Sequence, residues 1–536
     1  MSLWKIAWRS IQQRGLASVL TAFSMALGVM LVVAVLTIHG VVQESFRLNA
    51  SLGYNMIVGA KGGKLQLTLN TVYYLSSPVE NIPYDFYLEF LPKEKRDAAI
   101  AVSLRAEAAK MRAGIAETQC LAACASGPAG FGGLPGLLSH AILEKASRKQ
   151  MDAGRDGKYS QFTSLIIPVC LGDYFGNFRV VGTTPAMFEE LRYGPEGNKS
   201  YSFAEGRNFR EHSKEHGYFE AVLGATVARE KEVKVGQTIA PAHGNPDGHT
   251  HARTFTVVGI LNPTGTPNDR GVFVNMEGFY LMEDHAKPLD REQAPEDEDP
   301  EQQKQRDNAA KQAAETREKE RAAELRMTQI PPLAMEQREV TAMLVRTISP
   351  LVTPGLQNQI NEGNVAQGVL PVQEITGLFE LIVNPIQSIL LAMTAMICVV
   401  SGISILVSIY NSMSDRKREI AVMRALGASR RTIMTIILVE SILLSLGGGL
   451  LGWVGGHALN MAASKTVENQ TGVTIGLTTF APGPMISELL GRSPWPYEIP
   501  ISSELLLIPA LIILAVIVGF LPAVAAYRTD VAKSLG

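Results

Sequence analysis

Four long stretches without a formal charge constrain this chain more than any other feature. No Asp, Glu, Lys or Arg occurs from Gly15 to Gln43, from Leu381 to Ser414 or from Leu505 to Tyr527, and Thr432 to Ala463 carries a single acid, Glu440. A bilayer core about 30 Å thick takes about 20 apolar residues of helix. Each run meets that length, so four membrane spans are expected, at 16–42, 383–411, 432–461 and 504–527.

Orientation follows from the flanking charges, because Lys and Arg collect on the cytoplasmic side of short segments. Lys5, Arg9 and Arg14 precede the first run; Arg416, Lys417, Arg418, Arg424, Arg430 and Arg431 lie between the second and third; Arg528 and Lys533 follow the fourth. The 462–503 loop carries Lys465 and Arg492 against Glu468, Glu488 and Glu498. Both termini, including 1–15 and the 528–536 tail, are therefore expected in the cytoplasm of a multi-pass inner or plasma membrane protein. The apolar run Leu16 to Ile38 exceeds a signal-peptide core, which makes it a retained anchor and puts 43–380 outside.

The connection between spans two and three, 412–431, is the most specific segment. On a helix from Asp415 to Leu426, Ile420, Ala421, Met423 and Leu426 face one way, while Arg416, Lys417, Glu419 and Arg424 face solvent or a partner. Gly427 ends it. A plain positive-inside loop would need the charge but not the ordered run Arg418-Glu-Ile-Ala-Val-Met-Arg-Ala-Leu-Gly-Ala428. That run, with Gly519-Phe-Leu-Pro-Ala-Val-Ala-Ala-Tyr-Arg528, resembles the membrane subunits of MacB/FtsX-like ABC transporters. The stretch Phe178 to Tyr280 resembles the MacB-type periplasmic core through Val181-Gly-Thr-Thr-Pro-Ala-Met-Phe188, Glu205-Gly-Arg-Asn-Phe209 and Val257-Val-Gly-Ile-Leu261.

The resemblance implies an α-helical membrane protein with four transmembrane helices plus a large α+β extracytoplasmic domain. It implies a permease subunit whose coupling helix docks on a separate cytoplasmic ABC ATPase through Arg416, Lys417, Arg418, Glu419, Met423, Arg424, Leu426 and Gly427. ATP and Mg would then sit on that partner, and the chain would not itself be an enzyme. Its own nearest approach to a P-loop, Gly59-Ala-Lys-Gly-Gly-Lys64, has Val58 and Leu65 where Gly and Ser or Thr are needed. The expected work is mechanotransmission for export or extraction of a peptide, lipid-linked or drug-like substrate. The expected company is a second copy or a paralogous permease, with a periplasmic adaptor or substrate protein. An FtsX-like regulator of an extracytoplasmic hydrolase is the first alternative; metal-linked transport or sensing is the second. With 49 Lys and Arg against 51 Asp and Glu, nucleic acid is not an expected partner.

The external segment is long enough for two compact domains. Strand signals fall at Met56–Val58, Phe178–Val181, Phe255–Leu261, Gly271–Val274 and Thr341–Arg346, and helical patterns at Lys93 to Cys124 and Pro354 to Glu362. Gly206 is expected to let the chain reverse before Phe209 packs. From 284 to 327 the composition turns to Glu, Lys, Arg, Gln, Ala, Asp and Pro, the signature of a solvated segment. Gly127 to Gly136 reads as a linker, and Cys120 and Cys124 as small buried hydrophobes, since an i,i+4 pair makes a poor disulfide.

Three further features carry chemistry. His243, His249 and His251 lie in a polar turn, Ala242-His-Gly-Asn-Pro-Asp-Gly-His-Thr-His251, where zinc could be held with Asp247 adding to the set, or where the rings simply face solvent. His212 and His216, four apart, could share a helix face. Glu440 lies roughly 10 Å inside span three at about 1.5 Å per residue, where burial of an acid costs about 2.5–3.5 kcal/mol at a helix centre. An interhelical or interfacial hydrogen bond is the expected role, since none of the other spans supplies an acid or base at depth. The glycines Gly447, Gly448, Gly449, Gly452, Gly455 and Gly456 allow close helix approach, either in a dimer or against span one or four.

Overall fold

The computed structural model describes residues 3–49, 52–75, 80–108, 152–194, 198–287, 330–415, 417–471, 475–484 and 501–527, with a few single positions besides. Cys120, Cys124, the Gly127–Gly136 run, Arg416, the tail with Arg528 and Lys533, and 288–327 lie outside the described residues. The chain forms two units, one of 1–47 with 377–536 and one of 48–376.

Among the described residues, four helices are long and apolar enough to cross a membrane, Gly15–Phe46, Pro371–Asn411, Arg430–Glu468 and Ser503–Val524, and they make up most of the first unit. An additional amphipathic helix, Leu3–Gln13, precedes span one, with Ala7 and Ser10 buried and Trp4 and Trp8 exposed. The helix of span three runs on past Met461 to Thr471, so the connection to span four is shorter than the apolar run suggests. Apart from Gly447, its glycines settle against neighbours within the same chain. A Cβ on Gly448 would meet the Ala22 carbonyl oxygen at 2.6 Å, one on Gly452 the Ala26 oxygen at 2.4 Å, and one on Gly456 the Val33 Cβ at 2.8 Å. Span three thus lies with its glycine stripe on span one, and Gly449 faces Leu511 of span four. The stripe is used up in this packing and is no argument for a dimer.

The second unit is built on strands β1 (Met56–Ala60), β2 (Ile82–Pro83), β3 (Thr163–Phe175), β4 (Phe178–Thr183), β5 (Arg192–Tyr193), β6 (Lys199–Ser200), β7 (Phe203–Gly206), β8 (Glu220–Leu223), β9 (Thr238–Ile239), β10 (Phe255–Leu261), β11 (Gly271–Asn275), β12 (Glu339–Val340), β13 (Ala342–Thr347) and β14 (Ala366–Val369). One mixed sheet runs β14-β1-β13-β3-β4-β11-β8-β10-β7, with β9 beside β10. Where two separate domains seemed possible, a single ten-stranded sheet forms one unit. Alternate residues, Met56 and Val58, Val272 and Val274, Met343 and Val345, point into one core with Phe219 and Phe255, as the two-residue period of a strand requires. Every residue of β1, β4 and β11 is buried, which needs cover on both faces of the sheet.

The expected reversal at Gly206 is present. This residue has φ of +76°, and a Cβ there would meet the Val258 carbonyl oxygen at 2.1 Å, so only glycine fits. Just beyond it, Arg207 reaches fully buried Glu220 with Nη2–Oε1 of 2.6 Å and Nη1–Oε2 of 2.9 Å. Burial alone would raise the Glu220 carboxyl; the Arg207 fork and the Arg210 backbone amide outweigh it and hold it below the ordinary value of 4.5. A depressed folded value contributes stability above the unfolded one and loses it as pH falls. Thermal melts are therefore expected to drop below pH 4.5, and Glu220→Gln to flatten that acid limb. An acid limb unchanged in the variant would assign it to other groups.

Candidate functional site

Helix Lys417–Ala425 forms between spans two and three as the sequence pattern predicts. Ile420 and Ala421 are buried, and partly buried Met423 packs with Ile409, Ile433 and Ile437 in one apolar cluster. Leu426, expected on that face, is instead 83% exposed. The reason is the stop: Gly427 takes φ of +99°, its N–H donates to the Arg424 carbonyl, and the Ala428 N–H donates to the Met423 carbonyl at 3.0 Å. The Leu426 N–H itself still donates to the Val422 carbonyl at 2.9 Å, so Leu426 stacks one turn beyond exposed Val422, and the chain turns away at Gly427 before anything covers it. Leu426 joins exposed Glu419 and Val422 on the outer side. Arg424 is half-buried; the side chains of Lys417 and Arg418, like all of Arg416, lie outside the described residues.

The histidines gather elsewhere, in the second unit. Strand β3 breaks register with β4 between Leu171 and Tyr174, and Asp173 sits in that bulge with its side chain fully buried. Bulges re-aim side chains, often beside functional sites. Between β9 and β10 the chain makes a small hairpin pinned to the same strand: Ala242 and Tyr174 exchange N–H···O bonds of 2.7 and 2.9 Å, and the His243 N–H donates to the His249 carbonyl. Gly248 closes this hairpin, since a Cβ there would lie 2.0 Å from the His243 oxygen. His243 and His251 thereby face Asp173. His285 enters from the segment after helix Met276–Tyr280, its ring edge-on to Phe279 at 4.5 Å.

The four groups lie close together. His251 Nε2 and His285 Nε2 each stand 3.0 Å from Asp173 Oδ2, His243 Nδ1 stands 3.4 Å from Oδ1, and the two Nε2 atoms are 3.3 Å apart. One ligand atom from each residue falls within 4.8 Å of all the others. Burial pushes the Asp173 carboxyl up, yet contact with His251 and His285 and their charge hold it well below the usual carboxylate range. Burial lowers the His243 imidazole, against the pull of Asp173.

His249 is not in this set. Its ring stacks on His243 at 5.3 Å, and its Nε2 faces Asp284 at 3.8 Å on the surface. Asp247 is exposed in the turn. His212 and His216 share no helix, because a tight turn bridging Ser213 and Gly217 holds the segment; His212 packs on Tyr218 instead. Composition placed Asp284 and His285 in the solvated segment, but the structure orders the chain through Lys287, which pairs with Glu339 at 3.4 Å.

Residues 391–531, which include the Gly427-capped helix, match the model of the FtsX-like permease C-terminal family, and residues 154–368, which include β3 to β14, match that of the MacB-like periplasmic core domain. The chain belongs to the MacB/FtsX-like ABC transporter permease family. Among curated relatives, the macrolide export ATP-binding/permease protein MacB of Bdellovibrio bacteriovorus is 37% identical over 110 residues, and an uncharacterized ABC transporter permease, YknZ of Bacillus subtilis, is 32% identical over 108. Each match covers 20% of this chain, and it spans 17% of the first relative's length and 25% of the second's.

In this permease two buried carboxylates of the membrane unit are tied between helices. Glu440 accepts from Ser10 at 2.9 Å and is ion-paired with Arg14, at the break between the first two helices. A second buried carboxylate, missed because it closes the loop and opens span four, is Glu504. It accepts from Thr37 of span one at 3.1 Å, from Trp453 of span three at 2.8 Å and from the Ala481 N–H at 2.7 Å, and meets His457 Nε2 at 2.9 Å. His457, within span three, and Glu504, at the start of span four, are both buried.

Proposed function

We propose that this permease converts the motion of a separate cytoplasmic ABC ATPase, which carries ATP and Mg, into movement of its 48–376 unit outside the membrane. The supporting observation is helix Lys417–Ala425, anchored by Ile420, Ala421 and Met423 and presenting Glu419, Val422 and Leu426 outward. An apolar pair left exposed beside a charge on a short, rigidly capped helix suits insertion into a partner's groove. The run of Lys and Arg around it supports a cytoplasmic location for this helix and both termini, in an inner or plasma membrane. Export or extraction of a peptide, lipid-linked or drug-like substrate is the reading that the MacB-like core domain favours over regulation of a hydrolase.

The test is Val422→Asp with Leu426→Asp in the full chain, co-expressed with its cognate ATPase. Both side chains are exposed, so insertion and melting temperature are expected to be unchanged. Copurification is expected to be lost, and ATP turnover to fall to that of the ATPase alone. Normal copurification and turnover in the double variant would remove the proposal.

A further inference from the structure

We propose that Asp173, His243, His251 and His285 form a binding site for a divalent transition metal of the zinc class, which clamps the β9–β10 hairpin and the chain after helix Met276–Tyr280 onto the bulge of β3. The spacing of the ligand atoms carries it. Zinc binds imidazole nitrogen at about 2.0–2.1 Å, so the edges of its tetrahedron are about 3.3 Å long. Asp173 Oδ2, His251 Nε2 and His285 Nε2 form a triangle of 3.0, 3.0 and 3.3 Å; His243 Nδ1 stands 3.4 Å from the other carboxylate oxygen, and one ligand atom from each residue lies within 4.8 Å of all the others.

Hydrogen bonding does not account for the convergence. Both Asp173 oxygens and His243 Nδ1 are buried without a hydrogen-bond partner, although ring nitrogens stand 3.0–3.4 Å away. The one hydrogen bond among the four groups joins the His251 and His285 Nε2 atoms, and it leaves the carboxylate unserved. Three imidazoles around one fully buried carboxylate are otherwise a costly arrangement, because an unpaired buried polar group loses its hydration without compensation. A dication at the centre satisfies all four at once.

The donor set selects the metal class. Three imidazoles and one carboxylate, without thiolate, suit zinc and its borderline neighbours; calcium and magnesium prefer all-oxygen shells. Four protein ligands leave no open coordination position, which makes the site structural and not catalytic. Access is through His243, whose side chain is 38% exposed while Asp173 and His251 are fully buried. The rings are held from behind, His285 by Phe279 and His243 by His249.

The experiment uses the full-length permease in detergent, stripped with a chelator and titrated with Co²⁺ and then Zn²⁺. Wild type is expected to bind one Co²⁺ per chain with the intense visible bands of a tetrahedral ion, to lose them to one equivalent of Zn²⁺, and to melt at a higher temperature with either metal. His285→Gln and Asp173→Asn are expected to abolish stoichiometric binding, and His249→Ala to retain it. Absence of stoichiometric binding by wild type, weak octahedral bands only, or equal losses in His249→Ala and His285→Gln would overturn the proposal. The wild-type titration decides even where a variant fails to fold.

Discussion

Replacing Arg14 by alanine is expected to destabilise the membrane unit by about 3–5 kcal/mol, the cost of leaving one member of a buried ion pair without its partner. Its partner Glu440 is 4% exposed, so the stranded carboxylate has no route to water. Glu440→Leu is expected to cost a similar amount by stranding the guanidinium. Arg14→Met with Glu440→Leu removes both charges and is expected to be milder than either single change, because apolar replacement of a buried pair is often neutral. Thermal unfolding of the purified permease checks this through a double-mutant cycle. Strictly additive losses would show that the two residues stabilise the bundle separately.

Gly452→Leu is expected to be the most damaging single substitution in span three. Even a Cβ at this position falls 2.4 Å from the Ala26 carbonyl oxygen and 2.8 Å from Val29 Cβ, so the backbone of span one itself must retreat. Overpacking alone costs about 1–3 kcal/mol, and separation of the two helices also opens the contacts of Gly448 and Gly456. Gly447→Leu is the control, since nothing among the described residues lies within 4 Å of a Cβ there. Folded yield and melting temperature in detergent should fall for the first and hold for the second. Equal behaviour of the two would show that the span-one contact is not what the stripe serves.

What could be read from the sequence depended on whether one local rule decided the matter. The four spans were legible because a bilayer demands a run of uncharged residues and nothing else does. Strands β10, β11 and β13 were legible from β-branched runs. Strand β3 was not, since Pro168, Gly172 and Asp173 interrupt its pattern, and the interruption is where the bulge forms. Ile420, Ala421 and Met423 followed helical periodicity to the buried side, whereas Leu426, one turn after Val422, follows it to the exposed side.

The histidine site divides the same way. His243 and His251 were visible because they share one turn. Asp173 and His285 were not, because only the pairing of Ala242 with Tyr174 and the turn at Asp284, with φ of +64°, bring them in. His249 was the natural third member by spacing, but its ring stacks on His243 and turns to Asp284 at the surface. Glu504 was hidden by its place at a boundary between polar loop and apolar run, with partners in three different segments.

The two carboxylate ties have a mechanical consequence. Glu440 and His457 lie on one helix, about 25 Å apart at 1.5 Å per residue, and each fastens it to the first helices of the chain, through Arg14 at one end and through Glu504 and Thr37 at the other. A pair of rods pinned near both ends cannot slide lengthwise or splay without unseating a charge. Displacement applied to this pair is therefore carried as tilt of the whole, with little lost to bending, and its stiffness is set by two acids instead of by the many weak apolar contacts between them.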